Sequence, residues 1–144
     1  KVPVIIIIMG EGGSGGALGI GVGDRILIME NAYFSVISPE GCAAILWKDS
    51  SKAMEAAEVL RLSPKDLLKF GIVDEIIPEP LGGAQKDYKI VNNTLKNFVL
   101  RHLQELKKLP FESLVDQRYE KYRKIGVFME NSIQSVSVKL ANIS

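Results

Sequence analysis

Residues 4–23, VIIIIMGEGGSGGALGIGVG, join an unbroken apolar run to a segment that holds eight glycines. The run Val4–Met9 is rich in β-branched side chains and shows no alternation, which predicts a strand buried on both faces of a parallel or mixed sheet. Gly10–Gly16 predicts a loop, and Ala17–Val22 predicts a short helix whose glycines each cost about 1 kcal/mol in helix propensity. The sequence therefore predicts a strand, a glycine loop and a helix in direct succession.

Caps and hydrophobic periodicity place the remaining elements. Ser38 and Ser63 each precede a proline, which is typical of an N-cap followed by the first helical residue. The predicted strands are Arg25–Met29, Tyr33–Ile37 and Ile72–Ile77. The predicted helices are Cys42–Trp47, Ser51–Arg61, Ser63–Gly71, Tyr88–Lys108 and Phe111–Lys124. Strands that alternate with helices predict the α/β class.

Composition narrows the functional classes. The chain has 144 residues, a net charge of +1 and 47% apolar residues, which fits one globular domain and gives no global sign of nucleic-acid binding. Its one cysteine, Cys42, excludes an internal disulfide framework and a multi-cysteine zinc cluster, so we expect no metal in this chain. No apolar run is long enough to span a bilayer, and no secretory signal is visible.

The chain divides into three predicted parts: a core with the glycine loop over 1–84, a helical segment over 85–130 and a flexible tail over 131–144. Between Ala84 and Lys124, ten Lys or Arg residues stand against five Asp or Glu. This excess is either a solvated helix surface or a patch for an acidic partner. Because the sequence starts at once with a strand, we expect that an N-terminal portion is missing and that the domain is incomplete.

The glycine segment matches more than one motif. Gly10, Gly12 and Gly15 fit the dinucleotide fingerprint G-x-G-x-x-G, and Glu30 lies where a ribose-binding acid would lie. Against a dinucleotide site, the following helix is short and rich in glycine. The connection to the next strand is also predicted to take only about eight residues, fewer than a parallel crossover needs.

A second match is the nucleophile elbow G-x-S-x-G, formed by Gly12, Ser14 and Gly16. Ser14 would then be a nucleophile and would need a neighbouring base. The one histidine, His102, falls in the helical segment, where a surface or half-buried helix position without a catalytic role is favoured. A phosphate loop of the Walker type is excluded, because no Gly-Lys-Ser/Thr follows the glycines.

The remaining alternative is an oxyanion hole made of backbone amides. The first four N–H groups of a helix lack intrahelical partners, and the helix dipole adds partial positive charge there. Adjacent glycines at Gly15 and Gly16 let an oxygen approach such amides closely, and Gly12 and Gly13 either share this function or shape the turn. From the residues alone, a glycine turn without any ligand stays about equally open.

Several segments together resemble the alpha carboxyltransferase subunit of bacterial and plastid acetyl-CoA carboxylase. The segments that carry the resemblance are GEGGSGG at 10–16, GIGVGD at 19–24, SPEGCA at 38–43, ILWK at 45–48 and IIPEPLGGA at 76–84. Beyond residue 84 the resemblance is thinner, although KYRKIGVF at 121–128 is similar to the end of plastid and cyanobacterial members. The resemblance covers the C-terminal half of that subunit.

The resemblance implies a crotonase-like (ClpP/crotonase) fold of repeated ββα units and a heterotetramer of two alpha and two beta subunits. It implies transfer of a carboxyl group from carboxybiotin to acetyl-CoA, giving malonyl-CoA for fatty acid synthesis. The biotin would be attached to a biotin carboxyl carrier protein, and biotin carboxylase would be a further partner. The beta subunit would hold the CoA, so we expect activity only in its presence. A chloroplast stroma location is favoured over a bacterial or cyanobacterial cytoplasm.

By resemblance, the catalytic residues are Gly15 and Gly16, which would bind the biotin oxygen, and the substrate-binding residues are Gly12, Gly13 and Ser14. The chemistry agrees, because loss of the carboxyl group leaves negative charge on an oxygen that N–H donors can stabilise.

Two further functions stay open. In the same fold, an acyl-CoA hydratase, isomerase or decarboxylase would use the same amides and would need a carboxylate base, for which Glu11 and Glu40 are the candidates near the motifs. The other alternative is a non-catalytic module that docks a carrier domain through the basic helical segment.

Overall fold

A computed structural model of the chain describes residues 1–126, so the predicted tail over 131–144 lies outside the described residues. The strands are β1 (Ile5–Ile8), β2 (Glu11–Gly13), β3 (Arg25–Met29), β4 (Tyr33–Ser35) and β5 (Glu75–Ile77). The helices are α1 (Ser14–Ile20), α2 (Pro39–Trp47), α3 (Ala53–Leu60), α4 (Pro64–Lys69), α5 (Tyr88–Leu106) and α6 (Phe111–Arg123). Single turns of 3-10 helix lie at Ser50–Lys52 and Ala84–Lys86.

Two successive strand–strand–helix units form the first third of the fold. The first strands of the two units, β1 and β3, pair in parallel, and β5 adds to β3 in the same direction. The second strands, β2 and β4, pair in parallel in a separate two-stranded sheet. The predicted α/β class and the predicted repeat of ββα units are both confirmed.

The prediction of a short connection after the first strand is wrong. The parallel partner of β1 is β3, and the chain reaches it through residues 9–24, which include β2 and α1. Glu11–Gly13, predicted as loop, is a strand because it pairs with Tyr33–Ser35. The helix begins at Ser14 rather than at Ala17. A parallel crossover is therefore long enough, and the case against a dinucleotide site depends only on the short, glycine-rich α1.

The core lies on β3 rather than on β1. Residues 26–29 of β3 are at most 2% exposed, whereas in β1 only Ile8 is buried and Ile5–Ile7 are half-buried. The predicted burial of the first strand on both faces is therefore only partly correct. The physical reason is the strand order β1-β3-β5, which leaves β1 at the edge of this sheet within residues 1–126.

Local capping signals place two helices as predicted. The Ser38 hydroxyl accepts a hydrogen bond from the Gly41 N–H at 3.1 Å, at the start of α2. The Ser63 hydroxyl accepts from the Asp66 N–H at 3.2 Å, at the start of α4. Each bond satisfies one of the amides that a helix start leaves without an intrahelical partner.

The two C-terminal helices pack onto the parallel sheet. Val91, Leu95 and Phe98 of α5 and Tyr122 of α6 contact the same core cluster as β3. None of the helices within residues 1–126 is both long and apolar enough to cross a bilayer. These contacts bring α6 next to the turn that follows α1, although the two are about a hundred residues apart in sequence.

Candidate functional site

Helix α1 starts at a strained residue. β2 runs directly into α1, and Ser14 at the junction has φ 75°, a left-handed conformation that costs a non-glycine residue roughly 1–3 kcal/mol. No side chain caps α1, because the N-cap residue is Gly13. The Ser14 hydroxyl instead accepts from the Gly16 N–H at 3.3 Å. This sharp turn leaves the first amides of the helix at the surface.

The amino end of α1 is open. A Cβ built on Gly15 would meet no atom within 4 Å, and one built on Gly16 would meet only the Ser14 hydroxyl oxygen, at 3.5 Å. Within residues 1–126, no protein group accepts a hydrogen bond from the Gly15 N–H. The structure thus brings the predicted catalytic pair to an exposed surface, where an amide can bind an outside oxygen.

The predicted substrate-binding glycines lie in β2 and are more enclosed. A Cβ at Gly12 would lie 3.0 Å from the Phe34 ring and 3.1 Å from the Tyr33 carbonyl oxygen, so packing within the chain favours glycine there. At Gly13 the nearest atom would be the Tyr33 hydroxyl oxygen, at 3.6 Å. A binding role for Gly12, Gly13 and Ser14 stays a prediction.

An apolar cavity of about 200 Å³ lies beside this region, between β1 and the face of α1. Its lining includes Ile8, Gly12, Ile20 and Phe34, but neither glycine of the predicted catalytic pair. The cavity and the open amides are therefore two adjacent features rather than one pocket.

The carboxyl end of α1 is held by α6. The Tyr122 hydroxyl accepts from the Gly23 N–H at 2.7 Å, and it lies 2.9 Å from the Gly21 carbonyl oxygen and 3.0 Å from that of Gly23. It donates its one proton to one of these carbonyls. Burial raises the pKa of Tyr122, so the phenol keeps that proton. Sequence reasoning missed this contact, and its only signal was the family-like segment at 121–128.

A buried ion pair fixes the same turn. Arg118 binds both carboxylate oxygens of Asp24, with Nε 2.9 Å from Oδ1 and Nη2 2.7 Å from Oδ2. The Val4 N–H also donates to Asp24 Oδ2, at 2.6 Å. The hydrogen bonds to Asp24 raise the pKa of the Arg118 guanidinium. Asp24 is 5% exposed, and its charge is compensated in the bidentate geometry that Arg favours.

His102 is not placed to act as a base for Ser14. Its Nε2 lies 2.7 Å from Glu75 Oε2 where α5 meets β5. The predicted surface or half-buried position is wrong, because the side chain is buried against that carboxylate. Burial raises the pKa of Glu75, but hydrogen bonds from Arg101 and His102 outweigh it and hold that pKa below its usual value. Among the described residues, no hydrogen bond joins His102 to Ser14, so the elbow at Ser14 has no imidazole base.

The other candidate groups are dispersed. Glu11 on β2 and Glu40 at the start of α2 are both exposed, and Cys42 is a buried free thiol in the small cluster between α2 and α3. Within residues 1–126, no three His, Cys, Asp or Glu side chains lie close enough together to hold a metal ion.

Parallel ββα units and a glycine-rich turn with open amides define an α/β protein whose candidate site is made of backbone. Residues 1–126 match the family described as acetyl co-enzyme A carboxylase carboxyltransferase-like. The chain belongs to this family.

Curated relatives agree with the match. The chain is 53% identical over 132 residues to the acetyl-coenzyme A carboxylase carboxyl transferase subunit alpha of Rhodopirellula baltica, covering 92% of this chain and 41% of that protein. It is 57% identical to the same subunit of Staphylococcus epidermidis, with 90% and 41% covered. For the subunit of Prochlorococcus marinus the identity is 50%, with 94% and 41% covered. The chain thus spans about 41% of the length of these relatives.

Solved structures with a similar arrangement include an enoyl-CoA hydratase from Thermoplasma volcanium. It is 19% identical, with a TM-score of 0.33 and coverage of 95% of this chain and 59% of that one. A putative enoyl-CoA hydratase/isomerase from Mycobacterium abscessus is 17% identical, with a TM-score of 0.35 and coverage of 98% and 64%.

Proposed function

We propose that this chain is the part of a carboxyltransferase alpha subunit that binds the biotin oxygen during carboxyl transfer to acetyl-CoA. The observation that carries the proposal is the family match over residues 1–126, together with identities of 50% or more to curated alpha subunits. At such identities the same site is expected at the same positions. The glycine segment 10–16 lies inside the matched range.

We assign the biotin oxygen to the amides of Gly15 and Gly16. The Gly15 N–H is open, and the Gly16 N–H makes only a long bond, 3.3 Å, to the Ser14 hydroxyl. An incoming oxyanion is a stronger acceptor than a neutral hydroxyl, so it can take over that amide. Donors fixed where negative charge develops stabilise the transition state without reorganising, and one such donor is typically worth about 3–4 kcal/mol.

The cofactor in this proposal is biotin, carried on a biotin carboxyl carrier protein rather than on this chain. When bound, it supplies the activated carboxyl group and a ring oxygen that becomes negative as the carboxyl group leaves. Gly15 and Gly16 hold that oxygen, and the strained turn at Ser14 fixes the direction of their N–H bonds. No side chain of this chain is required as a nucleophile.

The remaining components are proposed from the family. A carboxyltransferase beta subunit would hold acetyl-CoA, and two copies of each subunit would form the heterotetramer. Biotin carboxylase would recharge the carrier. The similarity of residues 121–128 to plastid and cyanobacterial members favours the chloroplast stroma, with a bacterial or cyanobacterial cytoplasm as the alternative.

The test uses the full-length alpha chain assembled with its beta subunit, carrier and biotin carboxylase. Incorporation of label from bicarbonate into malonyl-CoA is measured for wild type, Gly15→Val and Gly19→Val. Gly19 is the matched control, since it lies in the same helix and its Cβ would also meet no atom within 4 Å.

We expect Gly15→Val to lower turnover by about 100-fold or more, because the side chain blocks approach to the amides, while Gly19→Val stays near wild type. Both variants should keep the wild-type circular dichroism spectrum. If the wild-type complex incorporates no label into malonyl-CoA, the proposed function is wrong. Turnover that survives in Gly15→Val would remove this residue from the site.

A further inference from the structure

One tyrosine side chain contacts both Gly21 and Gly23 in the turn that follows α1. The Tyr122 hydroxyl lies within 3.0 Å of Gly23 N, Gly21 O and Gly23 O, so a single atom bonds both sides of the turn. Gly21 is the C-cap of α1, and its own N–H bonds back to the carbonyls of Ala17 and Leu18. A shift of the hydroxyl is therefore passed directly to the last turn of α1.

Helix α1 has few other means of holding its direction. It has seven residues, three of them glycine, and none of its side chains is buried. A helix this short and this rich in glycine is not stable by itself in water. Ala17 packs against the core, and α1 is otherwise held at its two ends, by β2 at the amino end and by the Gly21–Asp24 turn at the carboxyl end.

The carboxyl end is fixed to two separate parts of the fold. Asp24 N–H donates to Val4 O at 2.8 Å, which holds the turn to the start of β1. Arg118 holds the Asp24 carboxylate from α6, and Lys121 of α6 forms an ion pair with Asp74. These contacts fix α6 in place, so the Tyr122 ring reaches the turn from a rigid base.

We propose that Tyr122 is a positioning residue for the carboxyl transfer reaction: its hydroxyl sets the direction of α1 and, through it, of the amides at Gly15 and Gly16. The inference rests on the proposed function. Tyr122 itself touches no reacting atom. Without the hydroxyl, the Gly23 N–H and one of the two carbonyls, Gly21 or Gly23, lose their partner, and the turn can relax.

The first arm compares Tyr122→Phe with Tyr119→Phe in the full-length assembled complex. Tyr119 is the matched control, because it is exposed on the same helix and loses the same atom. We expect Tyr122→Phe to lower kcat roughly three- to tenfold, the range that one lost hydrogen bond costs, with the KM for acetyl-CoA unchanged. Hydrogen exchange should accelerate in peptides covering 14–24 in this variant alone.

The second arm separates positioning from general stability. A fluorinated tyrosine at position 122 keeps the ring and its hydroxyl but ionises at lower pH. Once ionised, the hydroxyl can no longer donate to the Gly21 or Gly23 carbonyl. We expect the alkaline fall in kcat to move to lower pH in this enzyme while the circular dichroism spectrum stays unchanged.

The outcomes distinguish the two proposals. A wild-type complex that does not transfer carboxyl groups would overturn the proposed function and this inference with it. A wild-type complex that turns over, with unchanged kcat in Tyr122→Phe or an unshifted pH profile in the fluorotyrosine enzyme, would overturn the inference alone. If Tyr122→Phe does not fold, the fluorotyrosine profile decides.

Discussion

The two ends of helix α1 are both rich in glycine, but for different reasons. At the carboxyl end, a Cβ on Gly23 would lie 2.8 Å from an Ile6 side-chain carbon and 3.0 Å from the Val4 carbonyl oxygen. At Gly21 it would lie 2.9 Å from the Phe34 ring. At the amino end, a Cβ on Gly15 would meet nothing within 4 Å. Packing explains the glycines at the carboxyl end, whereas nothing within residues 1–126 requires one at Gly15.

Gly21 and Gly23 are therefore explained by packing within the fold, whereas Gly15 is explained by the proposed binding site. Where the chain's own atoms crowd a glycine, its replacement is expected to damage folding. At Gly15 they do not, and the open amides lie beside that free space, so replacement there is expected to damage binding instead.

The largest effect on stability is expected from Arg118→Met, which leaves the buried Asp24 carboxylate without its partner. Removing one member of such a pair typically costs about 3–5 kcal/mol, and the low end applies because Arg118 is partly exposed. Urea unfolding of the full-length protein measures it. Arg123→Met, an exposed arginine on the same helix, is the control. Equal losses in the two variants would contradict a specific role for the Asp24 pair.

A smaller effect, of opposite sign at two sites, is expected from Gly23→Ala and Gly19→Ala. Gly23→Ala should destabilise by about 1–3 kcal/mol, because backbone oxygens that cannot move surround the new methyl group. Gly19→Ala should stabilise by up to about 1 kcal/mol, since the position is open and alanine has the higher helix propensity. Thermal unfolding of both variants checks this. A stable Gly23→Ala protein would break the contrast between the two ends.

The carboxyl end should also respond to alkaline pH through Tyr122. Burial raises its pKa above the ordinary value of 10.0, so the unfolded chain ionises first as the pH rises. The stability from this group is full below about pH 10 and is lost as the pH rises through the pKa of the folded state. Tyr122→Phe lacks this contribution at every pH. Above pH 10 the unfolding free energy of wild type should therefore fall toward that of the variant. Urea unfolding across this range measures the difference, and a constant difference would contradict it.

The smallest effect on stability is expected at the amino end. Gly15→Ala should leave the unfolding free energy unchanged or raise it by about 0.5–1 kcal/mol, because the methyl group enters open space in a helix. A loss above about 1 kcal/mol would mean that the fold does use this glycine. Thermal unfolding beside the Gly19→Ala protein provides the comparison.

Local signals made much of the fold predictable. Ser38 and Ser63 before prolines fixed the starts of α2 and α4, and the β-branched runs located β1 and β3, because caps and strand preferences act over a few residues. Partial burial of β1 was not predictable, since strand order depends on pairing between distant segments. The assignment of Gly15 and Gly16 came from the motif and the resemblance and stays a prediction.

The contacts that hold the candidate site in place were harder to predict from the sequence. Tyr122 lies 99 residues from Gly23, and nothing in the helical periodicity of α6 indicates that its hydroxyl enters that turn. The role of Gly12 was also hidden, because the motif marks a glycine without saying whether a ligand or the Phe34 ring needs the space.

The most direct test is a crystal structure of the full-length alpha and beta assembly with biotin bound. If the backbone amides bind biotin, its ureido oxygen should lie about 2.9 Å from the amide nitrogen of Gly15 or Gly16, at the amino end of α1. A biotin held elsewhere by side chains, with both amides facing solvent, would contradict it.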